Sequence, residues 1–208
     1  MSEYKNPFKD VKPEVQSIAD WCLLANEEDT AMLHHAQVGI ENCQWHERYI
    51  DDIIIPYFLT SKRRKHGRQK LPQRRTVIDI GASYGWMAVT FAKYFDEVKC
   101  FEIREDVRYA LKKNTSRCSN IEVFDYGLSS IQDNVKVCRD ANTGGSRVWI
   151  RRSTDVNDPG RYTEEQIPTK AEGHGCAVRT LDSFNFNNVD CIKLDIEEHE
   201  YYALLGAV

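Results

Sequence analysis

The sequence predicts a doubly wound α/β fold with a mostly parallel sheet. Three observations predict it. After residue 75, apolar runs of strand length alternate with stretches of helical periodicity. The first of those runs, TVIDI at 76–80, leads into a loop with two glycines, Gly81 and Gly85. Acids stand at the carboxyl ends of successive runs. Short continuous apolar strands separated by helices mean parallel strands covered on both faces, and a ligand then belongs outside their carboxyl ends.

Taken in order, the strand at 76–80 is followed by a helix over 86–94, a strand VKCFE at 98–102, a helix over 106–114 and a third strand in IEVFDYG at 121–127. The segment 128–172 breaks the rhythm: VKVC and SRVWIR read as an antiparallel excursion, followed by a loose polar loop. The rhythm returns with VDCIKLDI at 189–196 and a helix that begins near Glu198. Before residue 75 the pattern is helical. Val15, Ile18 and Cys22 form one apolar series, and Trp45, Tyr49 and Ile53 with Ile50, Ile54, Tyr57 and Phe58 form a stronger one that should kink or end around Ile55, since Pro56 has no amide to donate. Residues 1–71 are thus expected to be an N-terminal helical extension with a basic linker, and 72–208 the α/β domain. In the stretch 61–75, eight of fifteen residues are Lys or Arg. It reads as a solvated linker, with contact to phosphate or another anion as the alternative.

Composition sets the frame. With 208 residues, 41% hydrophobic and 29% charged, the chain makes one ordinary globular domain with a small appendage. No apolar segment approaches a membrane span, and MSEYKNPFKDVKPE lacks the apolar core of a signal peptide, so a soluble cytoplasmic protein is expected. The net charge of −4 suggests neither a nucleic-acid coat nor a membrane binder. Seven cysteines without a C-x-x-C pair read as buried thiols rather than disulfides or metal ligands. His34 and His35 are adjacent in a helical stretch, where neighbours point about 100° apart and do not chelate together. No metal is expected.

Loops like the one at Gly81, Ala82, Ser83 and Gly85 hold nucleotides, dinucleotides or S-adenosylmethionine. A dinucleotide loop needs G-x-G-x-x-G, and here the middle glycine is missing. Asp79, beside the loop, repels phosphate but suits an ammonium or a sulfonium, and S-adenosylmethionine carries both cations and no phosphate. Glu102, at the end of the next strand, is placed to accept hydrogen bonds from two ribose hydroxyls, and Asp125, ending the third strand, to meet an adenine amino group. Each acid alone also reads as a helix cap. In order on three successive strands, they favour the cofactor.

In CIKLDIEEHE at 191–200, strand alternation sends Lys193, Asp195 and Glu197 to one face and Ile192, Leu194 and Ile196 to the other. Charges in a central strand are costly unless they are paired or face a cleft. The functional reading puts Lys193 and Asp195 beside the transferred methyl and Glu197 and Glu200 near the acceptor; the plainer one is a salt-bridged lysine at the strand end. His174, between two glycines, reads as loop, with a base near the acceptor cleft as a further option. There is no N/D-P-P-Y/F sequence for methylating base amino groups and no P-loop lysine.

The order VIDIGASYGW, CFEIRED, NTGGSRV, VRTLDSF and IKLDIEEHEYYALLGA resembles the FkbM-type S-adenosylmethionine-dependent methyltransferases, over about residues 40 to 208. That resemblance implies the Rossmann-like class I methyltransferase fold and O-methylation of sugars or natural-product hydroxyls. It implies cofactor roles for Asp79, Gly81, Gly85 and Glu102, and it matches Trp45 and Glu47 to the helix ahead of the first strand. Glu198 stands where the family usually has glycine. The chain stops at LLGAV, where the family continues into another helix and the last strands.

The expected activity is methyl transfer to a hydroxyl, most readily of a saccharide or small natural product, with Asp195 orienting the acceptor. The alternatives are an RNA 2'-hydroxyl methyltransferase, encouraged by the basic stretch 61–75, and a cofactor-binding remnant without turnover. The sheet is expected to lack its C-terminal strands. That leaves 189–196 as an open edge which either pairs with a second copy or is covered by the chain's own 128–172 segment.

Overall fold

The computed structural model describes residues 12–27, 30–38, 54–56, 63–64, 67–68, 73–138, 147–149 and 174–208. It opens on a hairpin, with β1 (Val15–Ile18) antiparallel to β2 (Trp21–Leu24). The helical reading of Val15, Ile18 and Cys22 is therefore corrected. Their spacing also fits two short strands joined by a tight turn, and Ala19 makes that turn at φ 51°. All four residues of β2 are buried. A three-and-four spacing read across a turn imitates one helical face.

Helix α1 (Thr30–Val38) follows, then the two-residue strands β3 (Arg63–Arg64) and β4 (Gly67–Arg68), which pair antiparallel inside the basic stretch. The second apolar series falls largely outside the described residues. Of it, 54–56 are helical and Ile55 is buried.

The central sheet then forms from β5 (Thr76–Ile80), followed by α2 (Trp86–Phe91), β6 (Glu97–Phe101), α3 (Glu105–Thr115) and β7 (Ile121–Phe124). Helix α3 carries Glu105 and Asp106 in its first turn and Lys112 and Lys113 in its last, each sign where the helix dipole favours it. The excursion comprises β8 (Gly127–Leu128), β9 (Asp133–Cys138), β10 (Arg147–Trp149) and β11 (His174–Arg179). They form a second sheet in the order β10-β9-β11-β8, antiparallel except where β11 meets β8. His174, read from sequence as loop, begins β11 opposite Val137. The Gly-His-Gly context hid a strand whose pairing comes from β9.

The chain returns through a 3-10 turn (Leu181–Phe184) to β12 (Val189–Leu194) and ends on α4 (Glu200–Leu205). β12 pairs parallel with β5, giving the order β12-β5-β6-β7, all parallel. This is a doubly wound, Rossmann-like sheet whose order reverses between β5 and β12, and that reversal is where such sheets open a ligand crevice. Among the described residues β12 has β5 as its sheet neighbour and is an edge. The described parts of 128–172 belong to the second sheet.

Both faces of the central sheet are covered, which is why TVIDI reads as a continuous apolar run. On one face Val77, Val98 and Cys100 meet Ala88, Phe91, Phe95 and Leu111. On the other, Ile78, Ile80 and Phe101 meet Leu128, Phe184, Phe186 and Ala203. A third cluster joins the hairpin and α1 to Tyr84, Trp86, Val107 and Ala110, so packing crosses the boundary expected at residue 71. At the amino ends of β5 and β12, Arg75 donates to Asp190 from Nε at 2.9 Å and Nη2 at 2.7 Å and to Asn188 at 2.6 Å. One basic residue of the 61–75 stretch is thus a strand clamp, away from the carboxyl ends. Among the described residues, no helix is long and apolar enough to cross a membrane.

Candidate active site

β5 hands over to the glycine loop through Asp79, fully buried in the sheet. In register with it lie Lys193 of β12 on one side and Cys100 of β6 on the other. The Lys193 ammonium is 3.2 Å from Asp79 Oδ1, and it donates to the Gly81 carbonyl at 2.6 Å. Neither Asp79 oxygen has a hydrogen-bonding partner among the described residues; the contact with Lys193 is an ion pair without hydrogen-bond alignment. Burial pushes the Cys100 thiol well up, and the Asp79 charge adds to it. Burial raises the Cys191 thiol too, with Asp79 again contributing.

The loop is tied mainly to the end of β6. The Gly81 and Ala82 amides both donate to the Phe101 carbonyl, at 2.9 and 3.0 Å, and the Gly85 amide to the Ala82 carbonyl at 2.9 Å. The Ser83 amide donates to Glu102 Oε2 at 2.9 Å. Gly81 has φ 78°, and a Cβ there would lie 1.9 Å from the Asp195 carbonyl oxygen, so only glycine lets the exit of β12 cross the loop this closely. Gly85, at φ 94°, precedes α2, and a Cβ would press into Leu111.

Glu102 follows β6 and is buried. Its Oε1 accepts from the Arg104 amide at 2.9 Å, and the Ser83 bond uses Oε2. A carboxylate offers two acceptor sites per oxygen, so one on each remains. Burial raises the Glu102 pKa, against the lowering effect of the Arg104 and Ser83 amides and of the Arg104 and Arg108 charges. Asp125, after β7, is held by Arg108 Nε at 3.0 Å and Lys112 Nζ at 2.8 Å, both on α3.

On the β12 side the strand ends at Leu194, and Glu197 and Glu198 both take left-handed φ, 54° and 70°. The alternation expected to carry Lys193, Asp195 and Glu197 onto one face therefore stops before Glu197. Lys193 points back to Asp79, while Asp195 is 61% exposed with its carboxylate 3.9 Å from the Lys193 ammonium. Glu200 accepts from the Ile196 amide at 2.9 Å, closing the turn into α4, which starts two residues later than expected. Trp45 and Glu47 lie outside the described residues.

The structure thus brings Asp79, Gly81, Ala82, Ser83, Gly85, Glu102, Lys193 and Asp195 around the point where strand order reverses. Asp125 is turned to α3. Sequence reasoning missed Tyr84, which lies between the two glycines and is fully buried, and Glu27, which receives its hydroxyl. The signal available was a large aromatic inside a glycine loop.

Fold and loop together define a Rossmann-like protein with buried acids, Asp79 and Glu102, at the carboxyl ends of adjacent parallel strands. Among solved structures the chain is similar to the methyltransferase FkbM from Methylobacillus flagellatus KT, at 18% identity over 88% of this chain and 41% of that one, with a TM-score of 0.42. It is similar over shorter stretches to phosphoethanolamine N-methyltransferase 1 of Haemonchus contortus, solved with phosphoethanolamine and S-adenosylhomocysteine, at 21% identity over 25% of this chain and 11% of that one, TM-score 0.24. A third likeness is to the 23S rRNA methyltransferase ErmE, at 26% identity over 26% and 22% of the two chains, TM-score 0.24. This chain spans less than half the length of each. No family model and no curated protein matches it.

Proposed function

We propose that the chain binds S-adenosylmethionine and belongs to a methyltransferase acting on a hydroxyl of a saccharide or small natural product. One observation carries the reading: the crevice offers carboxylate acceptors and few amide donors. The amides of Gly81, Ala82, Ser83 and Gly85 are taken by the Phe101 and Ala82 carbonyls and by Glu102, whereas among the described residues Glu102 keeps an acceptor site on each oxygen and the Asp79 oxygens accept no hydrogen bond. A pyrophosphate needs the reverse arrangement. A ligand that presents ribose hydroxyls and cations, without phosphate, fits this donor set.

When bound, S-adenosylmethionine supplies an electrophilic methyl group. The chain's own residues do the rest. Glu102 accepts the ribose hydroxyls, and Asp79, balanced by Lys193, makes the loop side of the crevice hospitable to an ammonium. Asp125, whose Oδ1 is held by Arg108 and Lys112, has Oδ2 left to meet the adenine amino group. Asp195 is exposed, and its carboxylate accepts a hydrogen bond from an incoming hydroxyl and orients the oxygen; the Lys193 ammonium lies 3.9 Å from it, and Glu197, two residues on, is the further candidate on this side. Trp45 and Glu47 are carried as cofactor candidates by the family resemblance alone.

Calorimetry with S-adenosylmethionine tests the reading. Glu102→Ala is expected to weaken binding by about tenfold or more, since hydrogen bonds to a charged acceptor are worth roughly 1.5–3 kcal/mol. NAD affinity equal to that for S-adenosylmethionine overturns the reading. A panel of glycans, small hydroxylated compounds and RNA then identifies the acceptor class.

A further inference from the structure

The glycine loop is held from behind by residues that precede residue 75. Tyr84 is fully buried, and its hydroxyl donates to the buried carboxylate of Glu27, just after the hairpin. The Leu24 amide also reaches this hydroxyl at 3.5 Å. Asn114 of α3 ties the hairpin strand β2 to the loop. Its Oδ1 accepts from the Cys22 amide at 2.7 Å, and its Nδ2 donates to the Cys22 carbonyl at 3.0 Å and to the Tyr84 carbonyl at 2.9 Å. Beyond Gly85, the ring of Trp86 lies 3.8 Å from that of Trp21, and its Nε1 donates to Met32 at 3.3 Å.

Between these anchors sits Ser83, a non-glycine residue at φ 49°. Left-handed backbone disfavours a residue with a side chain and persists only where the surroundings over-determine it. Here the surroundings are Glu102, which takes the Ser83 amide, and the Tyr84 anchor one residue on. We propose that Glu27 and Tyr84 are positioning residues for the cofactor site: Glu27 holds Tyr84, Tyr84 holds Ser83 in its left-handed conformation, and the Ser83 amide aims the Glu102 carboxylate. This makes the N-terminal hairpin part of the binding apparatus. The step from loop order to cofactor affinity rests on the function proposed above.

Two measurements on the full chain test it. In the first, amide exchange without ligand, Tyr84→Phe and Glu27→Ala each speed exchange at Ser83 about tenfold, while Val77 and Ile78 in β5 keep wild-type protection. Glu27→Gln, which retains an acceptor for the phenol, stays near wild type, and the double variant Glu27→Ala/Tyr84→Phe is no worse than either single one. In the second, titration with S-adenosylhomocysteine, the two disruptive variants weaken binding about three- to tenfold and Glu27→Gln does not. Unchanged exchange at Ser83, a rise shared equally by β5, or additive effects in the double variant overturns the latch. Should Tyr84→Phe fail to fold, Glu27→Ala carries the test. Absence of binding to the wild-type chain sinks the cofactor reading, and the exchange measurement then judges the latch alone.

Discussion

The two sides of the crevice are built differently. On the β5–β6 side, loop amides are bonded within a few residues or onto Phe101 and Glu102, the hairpin braces the loop from behind, and Asp79 and Tyr84 are fully buried. On the β12 side, Asp195 is largely in solvent, Glu197 and Glu198 sit in left-handed backbone, and Ile192 is 45% exposed. The first side resembles a preorganised socket and the second an open bench. A shared cofactor demands fixed geometry, whereas an acceptor needs access.

The sharpest way to break this contrast is at Gly81, where the two sides touch. Gly81→Ala puts a methyl 1.9 Å from the Asp195 carbonyl oxygen in a backbone region hostile to side chains. The expected loss is on the order of 3 kcal/mol or more of stability, read by denaturant unfolding. A melt close to wild type shows that β12 shifts easily and that the socket is not rigid there.

Comparable in size is the effect at Lys193. Lys193→Met leaves Asp79 buried and unpaired, at a cost of about 3–5 kcal/mol, and Asp79→Asn/Lys193→Met recovers much of it. If the single variant melts like the wild type, Asp79 takes its neutralising charge from elsewhere. Asp195→Asn should behave in the opposite way. Being exposed, it changes stability by less than about 0.5 kcal/mol, but it lowers methyl transfer far more than cofactor affinity. Equal loss of affinity and rate moves Asp195 to the socket side.

Smaller effects come from titration. Burial raises the Glu102 pKa, and on the function proposed above the ligand is held by its carboxylate. Cofactor affinity should therefore fall on acidification at a higher pH than an ordinary glutamate dictates, and calorimetry across pH reads this. Asp190 has its pKa lowered by its bond to Arg75. Its contribution to stability is present above the ordinary aspartate range and is lost as pH falls through the depressed value. Arg75→Ala removes that contribution at neutral pH, and the variant's melting temperature should fall less steeply than the wild type's on acidification.

By itself, the sequence determined the central sheet and the loop. TVIDI, VKCF, IEVF and VDCIKL are legible because strands covered on both faces must be continuously apolar, and Gly81 and Gly85 are legible because few other residues accept positive φ. The antiparallel excursion was visible in VKVC and SRVWIR. What only the tertiary structure decided are contacts between residues far apart in the chain. The hairpin at 15–24 imitated one face of a helix until its burial against Tyr84, Trp86 and α3 chose the strand form. Lys193 alternated correctly toward a charged face, yet that it meets Asp79 depends on β12 entering the sheet beside β5. Asp125 stood in order among the acids, but that Arg108 and Lys112 meet its Oδ1 depends on how α3 packs. Local sequence carries periodicity and backbone preference; which buried charge finds which partner is set by strand order and helix packing, and neither leaves a mark at short range.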